Sequence, residues 1–231
     1  MKKSDLYFLL FVFVLFLPFF LSDPLYSSYK TANAGHPFLI GFLKFAILAT
    51  MGESIGLRLR EGVYTKPGFG LLPRAIVWGF LGMSIVLAFQ IFSAGAPVFL
   101  KTLGMNNAGE ALAGPMGWER IVVAFTISVT LNLIFAPVMM TLHKITDTQI
   151  MHHNGSVIAL FKPLMMGDII ANLDWRVQWN FIFKKTIPFF WIPAHTITFL
   201  LPPEFRVLFA ALLGIALGVI LSIGVLMSKK V

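Results

Sequence analysis

A carboxylate lies inside one of the long apolar runs of this sequence, at Glu53, directly after Gly52. A carboxylate within a membrane-spanning helix is costly unless it faces a bundle interior, a water-filled cavity or a cation. Glu53 is therefore a candidate to line a path for ions or small solutes, or to pair with a buried cation. Because Arg58 and Arg60 follow closely, a third interpretation places Glu53 among solvated lipid headgroups.

Two further polar residues, Asn132 and His195, also lie within apolar runs. An asparagine in lipid needs a hydrogen-bond partner on another helix. Pro137 leaves the backbone carbonyl one turn before the proline without its usual N–H partner. Asn132 could line a pore or serve packing alone. His195 shares a predicted helix face with Trp191 and Phe199, at i−4 and i+4. This face indicates either a hydrogen-bonded structural histidine or a proton-linked gate.

No pattern of catalytic or metal-ligating residues accompanies these three. His152 and His153 are adjacent and lack a spaced third ligand, and the chain has no cysteine. The sequence contains no glycine-rich phosphate loop, no Ser/His/Asp order and no His-Glu-x-x-His motif. We therefore expect no enzyme activity, no catalytic residue, no cofactor and no metal site.

The composition excludes a soluble globular domain. Of the 231 residues, 58% are hydrophobic and 12% are charged, against about 45–50% and about 25% in soluble domains. A net charge of +8 would indicate nucleic acid as the partner of a soluble protein. Here the cations border apolar runs, so we expect the lipid bilayer as partner and no nucleic acid. The runs are continuous, which argues against an outer-membrane barrel of short alternating segments.

The apolar runs predict an all-α polytopic transmembrane bundle of about six helices, one of them short or re-entrant. Residues 1–35 are expected to form an extra N-terminal transmembrane helix, or an uncleaved signal-like anchor, followed by a loop; cleavage after Ala34 is the alternative. Residues 36–231 form the main bundle. The short fifth run is interrupted by prolines and could re-enter rather than span. The predicted runs are 6–22, 37–57, 75–100, 121–142, 186–201 and 205–227.

Small residues and prolines predict where these helices approach and bend. Gly214 and Gly218 form a small-xxx-small pattern that lets helices pack closely, and Gly52 permits the same beside Glu53. Pro137 and Pro193 lie inside predicted helices, where proline kinks the chain.

Lysine and arginine are distributed unevenly between alternate loops. With six spans and the N-terminus inside, thirteen of the eighteen fall inside and four outside, and Lys44 remains in the membrane. The positive-inside rule then places both termini in the cytoplasm. We expect the Lys44 side chain to extend to the outer interface. The inside set is Lys2, Lys3, Arg58, Arg60, Lys66, Arg74, Lys144, Lys162, Arg176, Lys184, Lys185, Lys229 and Lys230, and the outside set is Lys30, Lys101, Arg120 and Arg206.

Short motifs spread over residues 36–228 resemble those of one family of small integral membrane proteins, the Mpv-seventeen and peroxisomal-membrane-protein-twenty-two family. The similar positions are His36-Pro37, Gly52-Glu53, Arg74, Gly82, Asn132, Phe135-Ala136-Pro137, Trp191, Pro193, His195, Thr198-Phe199, Pro203 and Arg206. Leu131 replaces an aspartate of the family pattern, and Asn132 and His195 stand where the family has glutamine. The family's second-helix motifs have no clear counterpart at residues 87–92, and the first helix is extra.

The resemblance implies weakly selective, channel-like passage of small solutes, often through oligomers, and no enzyme chemistry. We therefore expect a small channel or transporter for ions or small metabolites, with Glu53, Asn132 and His195 along its path. The alternative is a non-transporting membrane assembly or scaffold subunit, in which these residues only lock helices together. We expect a bacterial inner membrane, with an organelle membrane as the alternative.

Overall fold

The computed structural model describes the backbone of residues 2–228 and the side chains of this range except 217 and 220–228. The described residues are helical and contain no β-strand, which confirms the predicted all-α fold. One 3₁₀ segment, Val157–Phe161, and two π-helical segments, Leu131–Phe135 and Gln178–Trp191, accompany the α-helices. The α-helices are α1 (Lys3–Leu21), α2 (Asp23–Gly35), α3 (Pro37–Glu61), α4 (Leu71–Thr102), α5 (Ala108–Ala111), α6 (Trp118–Thr130), α7 (Ala136–His152), α8 (Met166–Ala171), α9 (Trp175–Val177), α10 (Ile192–Leu200) and α11 (Pro203–Ser228).

Within the described part of the chain, four helical rods are long and apolar enough to cross a membrane: α1, α3, α4 and the continuous rod Trp118–His152. Their most apolar windows have mean hydropathies of 2.3, 1.6, 2.1 and 2.2, and each exceeds or approaches the about 20 residues that a bilayer core requires. The protein is therefore an integral membrane protein. The fifth predicted run, 186–201, is helical up to Leu200, and its helix begins earlier than predicted, at Gln178; the sixth run lies within α11.

Two further differences from the sequence prediction lie in residues 23–35 and at the end of the fourth run. Residues 23–35, expected to be a loop, form α2, which is capped by the Ser22 hydroxyl accepting a hydrogen bond from the Leu25 N–H at 3.3 Å. The fourth run, expected to end near Leu142, continues as α7 to His152. Both differences have one cause: hydropathy marks the lipid-facing length of a helix, whereas caps and backbone hydrogen bonds set where it ends.

Pro137 and Pro193 each lie two residues after the end of a π-helical segment. The Ala136 N–H donates to the Leu131 carbonyl, and the Ile192 N–H donates to the Ile187 carbonyl, five residues back in both cases. A proline ring clashes with the carbonyl four residues before it. The extra residue of the π turn displaces that carbonyl, so each helix continues through its proline.

Glycines allow α3 to pack closely against α4 and α11. A Cβ added at Gly82 would lie 2.6 Å from the Phe45 Cβ, and one at Gly52 would lie 2.9 Å from the Ile215 Cα. A Cβ at Gly218 would lie 3.0 Å from the Gly52 carbonyl oxygen. Gly214 is different, because a Cβ there would meet no described atom within 4 Å.

The two ends of the bundle hold different charged contacts. At one end, Arg58 donates to both Asp5 carboxylate oxygens, at 2.7 and 2.9 Å, and Lys2 donates to the Gly62 carbonyl at 3.0 Å. The start of α1 thus lies beside the end of α3. At the other end, Arg120 donates to the Leu200 carbonyl at 2.8 Å, so α10 runs antiparallel to α6.

Lys44 is buried, so the prediction that it extends to the outer interface is wrong. Its ammonium donates to the Asn33 Oδ1 at 2.6 Å and lies 5.2 Å from the centre of the Tyr29 ring. Both partners belong to α2, the helix that the sequence did not predict. Burial raises the pKa of the Tyr29 hydroxyl, which is neutral beside the ammonium.

Candidate functional site: a cavity open at one end

One cavity of about 540 Å³ brings together the three polar residues that the sequence singled out. Glu53, Asn132 and His195 all line it, although they come from α3, the first π segment and α10. At its mouth the cavity is lined by exposed side chains, among them Glu61 and Lys66. A cavity of this volume is in the range that holds small organic ligands.

The cavity ends inside the bundle. Phe89 lines its inner end, and the Phe89 ring packs on the fully buried Phe199 with ring centroids 4.9 Å apart. Beyond them, Val123 and Ile127 have no exposed surface. The described lining includes no residue from the end that holds Arg120. The cavity is therefore open at one end and closed by a packed apolar core at the other.

Near the mouth, the Glu53 carboxylate receives three hydrogen-bond or ionic partners. Its Oε2 lies 2.5 Å from Arg74 Nη1. Its Oε1 accepts a hydrogen bond from the indole N–H of Trp78 at 2.7 Å and lies 2.9 Å from His143 Nε2. Of the three interpretations of Glu53, the structure agrees with pairing to a buried cation, and both carboxylate oxygens are already engaged.

Arg74 is shared between two carboxylates. Its side chain is only 8% exposed and also pairs with Asp147, and its Nε donates to the Phe69 carbonyl at 2.6 Å. One guanidinium therefore balances Glu53 and Asp147, and hydrogen bonds complete its environment. The resulting charge cluster, defined here as Glu53, Arg74, His143 and Asp147, ties α3, α4 and α7 together beside the mouth.

Sequence reasoning missed His143 and Asp147 because it ended the fourth helix at Leu142. Their spacing of four residues is that of one helix face, and the structure shows that α7 continues through both. This i, i+4 spacing was the available signal. This spacing places both side chains on one face only if the helix extends past its apolar part.

At the inner end of the cavity, Asn132 holds His195 in place. The Asn132 Nδ2 donates to the Ser128 carbonyl at 2.8 Å and lies 3.0 Å from His195 Nδ1. The His195 ring stacks on Trp191, with centroids 5.1 Å apart, and meets Phe89 edge-on. Asn132 thus bonds across helices, and His195 is a hydrogen-bonded histidine that also lines the cavity; a pore-lining role for Asn132 and a proton-linked gate at His195 stay predictions.

Of the glycines and prolines predicted to let helices pack or bend, three line the cavity and two do not. Gly52, Gly214 and Gly218 line the cavity where α3 meets α11, whereas Pro137 and Pro193 lie outside its lining. Within the described residues, no group of three or more His, Asp or Glu side chains is arranged to hold a metal ion.

Comparisons with known protein families, with characterised proteins and with solved structures find no match to this chain. The similarity to the Mpv-seventeen and peroxisomal-membrane-protein-twenty-two family therefore rests on the sequence motifs alone.

Proposed function

We propose that this integral membrane protein is a small, weakly selective transporter or gated channel that passes ions or small metabolites through the cavity. One observation carries the proposal: Glu53, Asn132 and His195, which are far apart in sequence, line one cavity that opens at one end of the bundle. Polar groups facing an interior cavity are how a path across the bilayer offers hydrogen bonds to a solute.

The one-sided shape favours a path that opens alternately or by gating over a permanently open pore. The packed core around Phe199 and Ile127 blocks passage beyond the inner end of the cavity. A solute bound near His195 would leave on the far side only after the helices that enclose this core had moved. Such a change exposes a site to one side of the membrane at a time.

The two polar levels of the cavity have different parts in this proposal. The charge cluster near the mouth holds α3, α4 and α7 in register, because Arg74 occupies Glu53 and Asp147 together. The Asn132–His195 pair at the inner end offers ring nitrogen and amide groups to a solute. Glu53 is thus a positioning residue, and His195 is the residue that we expect to contact the solute.

We further propose that the mouth faces the cytoplasm. Lys2, Arg58, Lys66 and Arg74 lie at the mouth end of the bundle, through their contacts with Gly62, Asp5, Glu61 and Glu53. The positive-inside rule assigns such an end to the cytoplasmic side, with both termini there. We propose that the membrane is a bacterial inner membrane and that copies of the chain assemble into an oligomer. We also propose that the chain belongs to the Mpv-seventeen and peroxisomal-membrane-protein-twenty-two family, as its motifs imply.

Reconstitution into liposomes tests the transport proposal. Liposomes are loaded with one radiolabelled small solute at a time, either an inorganic ion or a metabolite. We expect liposomes that contain the protein to release at least one of these solutes faster than protein-free liposomes do. Light scattering and a fluorescent dye too large for the cavity control for leaky vesicles. Release rates equal to those of protein-free liposomes for every solute would overturn the proposal and favour the non-transporting assembly or scaffold subunit.

A further inference from the structure

The cavity wall between its two polar levels is mainly apolar. His195 lies beside Phe89 and His143 lies beside Trp78, and these two α4 residues are eleven positions apart. The levels are therefore separated by about 16 Å along the helix. Apolar residues of the lining include Ile85, Phe135, Met139, Met140, Met151 and Ile182.

The charges in the lining do not form a site for a bare cation. Both oxygens of Glu53 have partners, and Asp147 pairs with the same arginine. An inorganic cation in the cavity would have to displace Arg74, which is buried and hydrogen-bonded. Three methionines in the wall instead favour a flexible apolar guest, since their unbranched side chains adapt to different shapes.

The inner end supplies a hydrogen bond for one polar head group. The Ser128 carbonyl can only accept, so the Asn132 atom at 2.8 Å from it is the amide nitrogen. The same amide engages His195 Nδ1, with its Nδ2 at 3.0 Å and its Oδ1 at 3.2 Å, so Nε2 is the ring nitrogen left to bond a ligand, as donor or acceptor according to the tautomer. Among the described residues, His195 Nε2 has no hydrogen-bond partner.

We propose that the cavity binds an elongated amphipathic molecule, with an apolar chain along the wall and a small polar head, such as a hydroxyl or carboxyl group, at His195. The inference deepens the proposed function, on which it rests, by naming the class of solute. A chain in this wall gains the hydrophobic contribution of each methylene that it buries. A small hydrophilic solute would leave the same wall without a complementary partner.

Photolabelling in nanodiscs tests this class of ligand. The probe is a decanol analogue with a diazirine on its chain, and mass spectrometry maps the labelled residues. We expect labelling of cavity residues such as Met139 and Ile182, which excess decanol suppresses and an equal concentration of glycerol does not. Lipid-facing residues such as Phe80, which is 61% exposed, provide an internal reference, because decanol should not change their labelling selectively.

A matched pair of variants makes the test specific. Gly214→Leu adds a side chain to the cavity where a Cβ meets no described atom within 4 Å, and we expect cavity labelling to fall at least tenfold. Gly95→Leu makes the same change on the exposed face of α4 and should leave it unchanged. Labelling restricted to lipid-facing residues, equal competition by glycerol, or no effect of Gly214→Leu would each overturn the inference.

The liposome assay separates this inference from the proposed function. If Gly214→Leu slows the release of hydrophilic solutes while the probe never labels the cavity, transport stands and the amphipathic class is wrong. If decanol competes for cavity labelling while liposomes release no solute, the ligand class stands and the transport function is wrong.

Discussion

Replacing Arg74 with methionine is expected to lower the free energy of unfolding by about 3–5 kcal/mol, because it removes the guanidinium that pairs with both Glu53 and Asp147. These carboxylates are 20% and 16% exposed, so water compensates little of the loss. Methionine keeps much of the side-chain length and removes the charge. For a chain of this size, the apparent melting temperature in detergent should fall by roughly ten degrees.

Lys66→Met is the matched control for this prediction. Lys66 pairs with Glu61 at 2.7 Å near the same end of the bundle, but these side chains are 45% and 43% exposed. Exposed pairs contribute about 0–1 kcal/mol, so this variant should melt close to the parent protein. Equal melting temperatures for Arg74→Met and Lys66→Met would show that the charge cluster does not hold α3, α4 and α7 together.

Gly214→Leu is expected to reduce solute release from liposomes at least tenfold while the protein still folds. A leucine side chain at this position enters the cavity without a clash at its Cβ. It also replaces glycine by a better helix former, which favours folding by up to about 1 kcal/mol. The flux measurement should therefore change while the melting temperature stays the same or rises.

Gly95→Leu controls for the addition of leucine to a transmembrane helix. Gly95 is exposed on α4 and lies outside the cavity lining. This variant should release solute at the parent rate. If Gly214→Leu transports as fast as Gly95→Leu, solutes do not pass through this cavity, whatever else the protein transports.

The sequence predicted the helices well where hydropathy and helix boundaries coincide. α3 begins at Pro37, where the predicted run 37–57 begins, since proline is tolerated in the first helical turn. The sequence also predicted that Glu53 could pair with a buried cation, because a carboxylate in an apolar run has few stable environments.

The identity of the partners was not predictable, for physical reasons. Arg74 was counted among the cations of a loop, and His143 and Asp147 fell in a presumed linker, because apolar character ends before the helix does. The burial of Lys44 depended on α2, whose polar composition hides a helix started by Ser22. Gly214 and Gly218 share one motif, yet an added Cβ would lie 3.0 Å from the Gly52 carbonyl oxygen at Gly218 and would meet no described atom within 4 Å at Gly214. Spacing alone does not reveal which glycine has room for a side chain.

Single-cysteine labelling tests the central claim, a cavity with polar groups at two levels that is open on one side of the membrane. The chain contains no cysteine, so an introduced thiol is the only reactive one. Met139→Cys places it in the cavity, and Leu87→Cys places a control thiol on a lipid-facing surface that is 48% exposed. With a membrane-impermeant methanethiosulfonate, Met139→Cys should react from the cytoplasmic face of oriented vesicles and not from the other face, and Leu87→Cys should react from neither. Reaction of Met139→Cys from both faces, or from neither, would contradict the account.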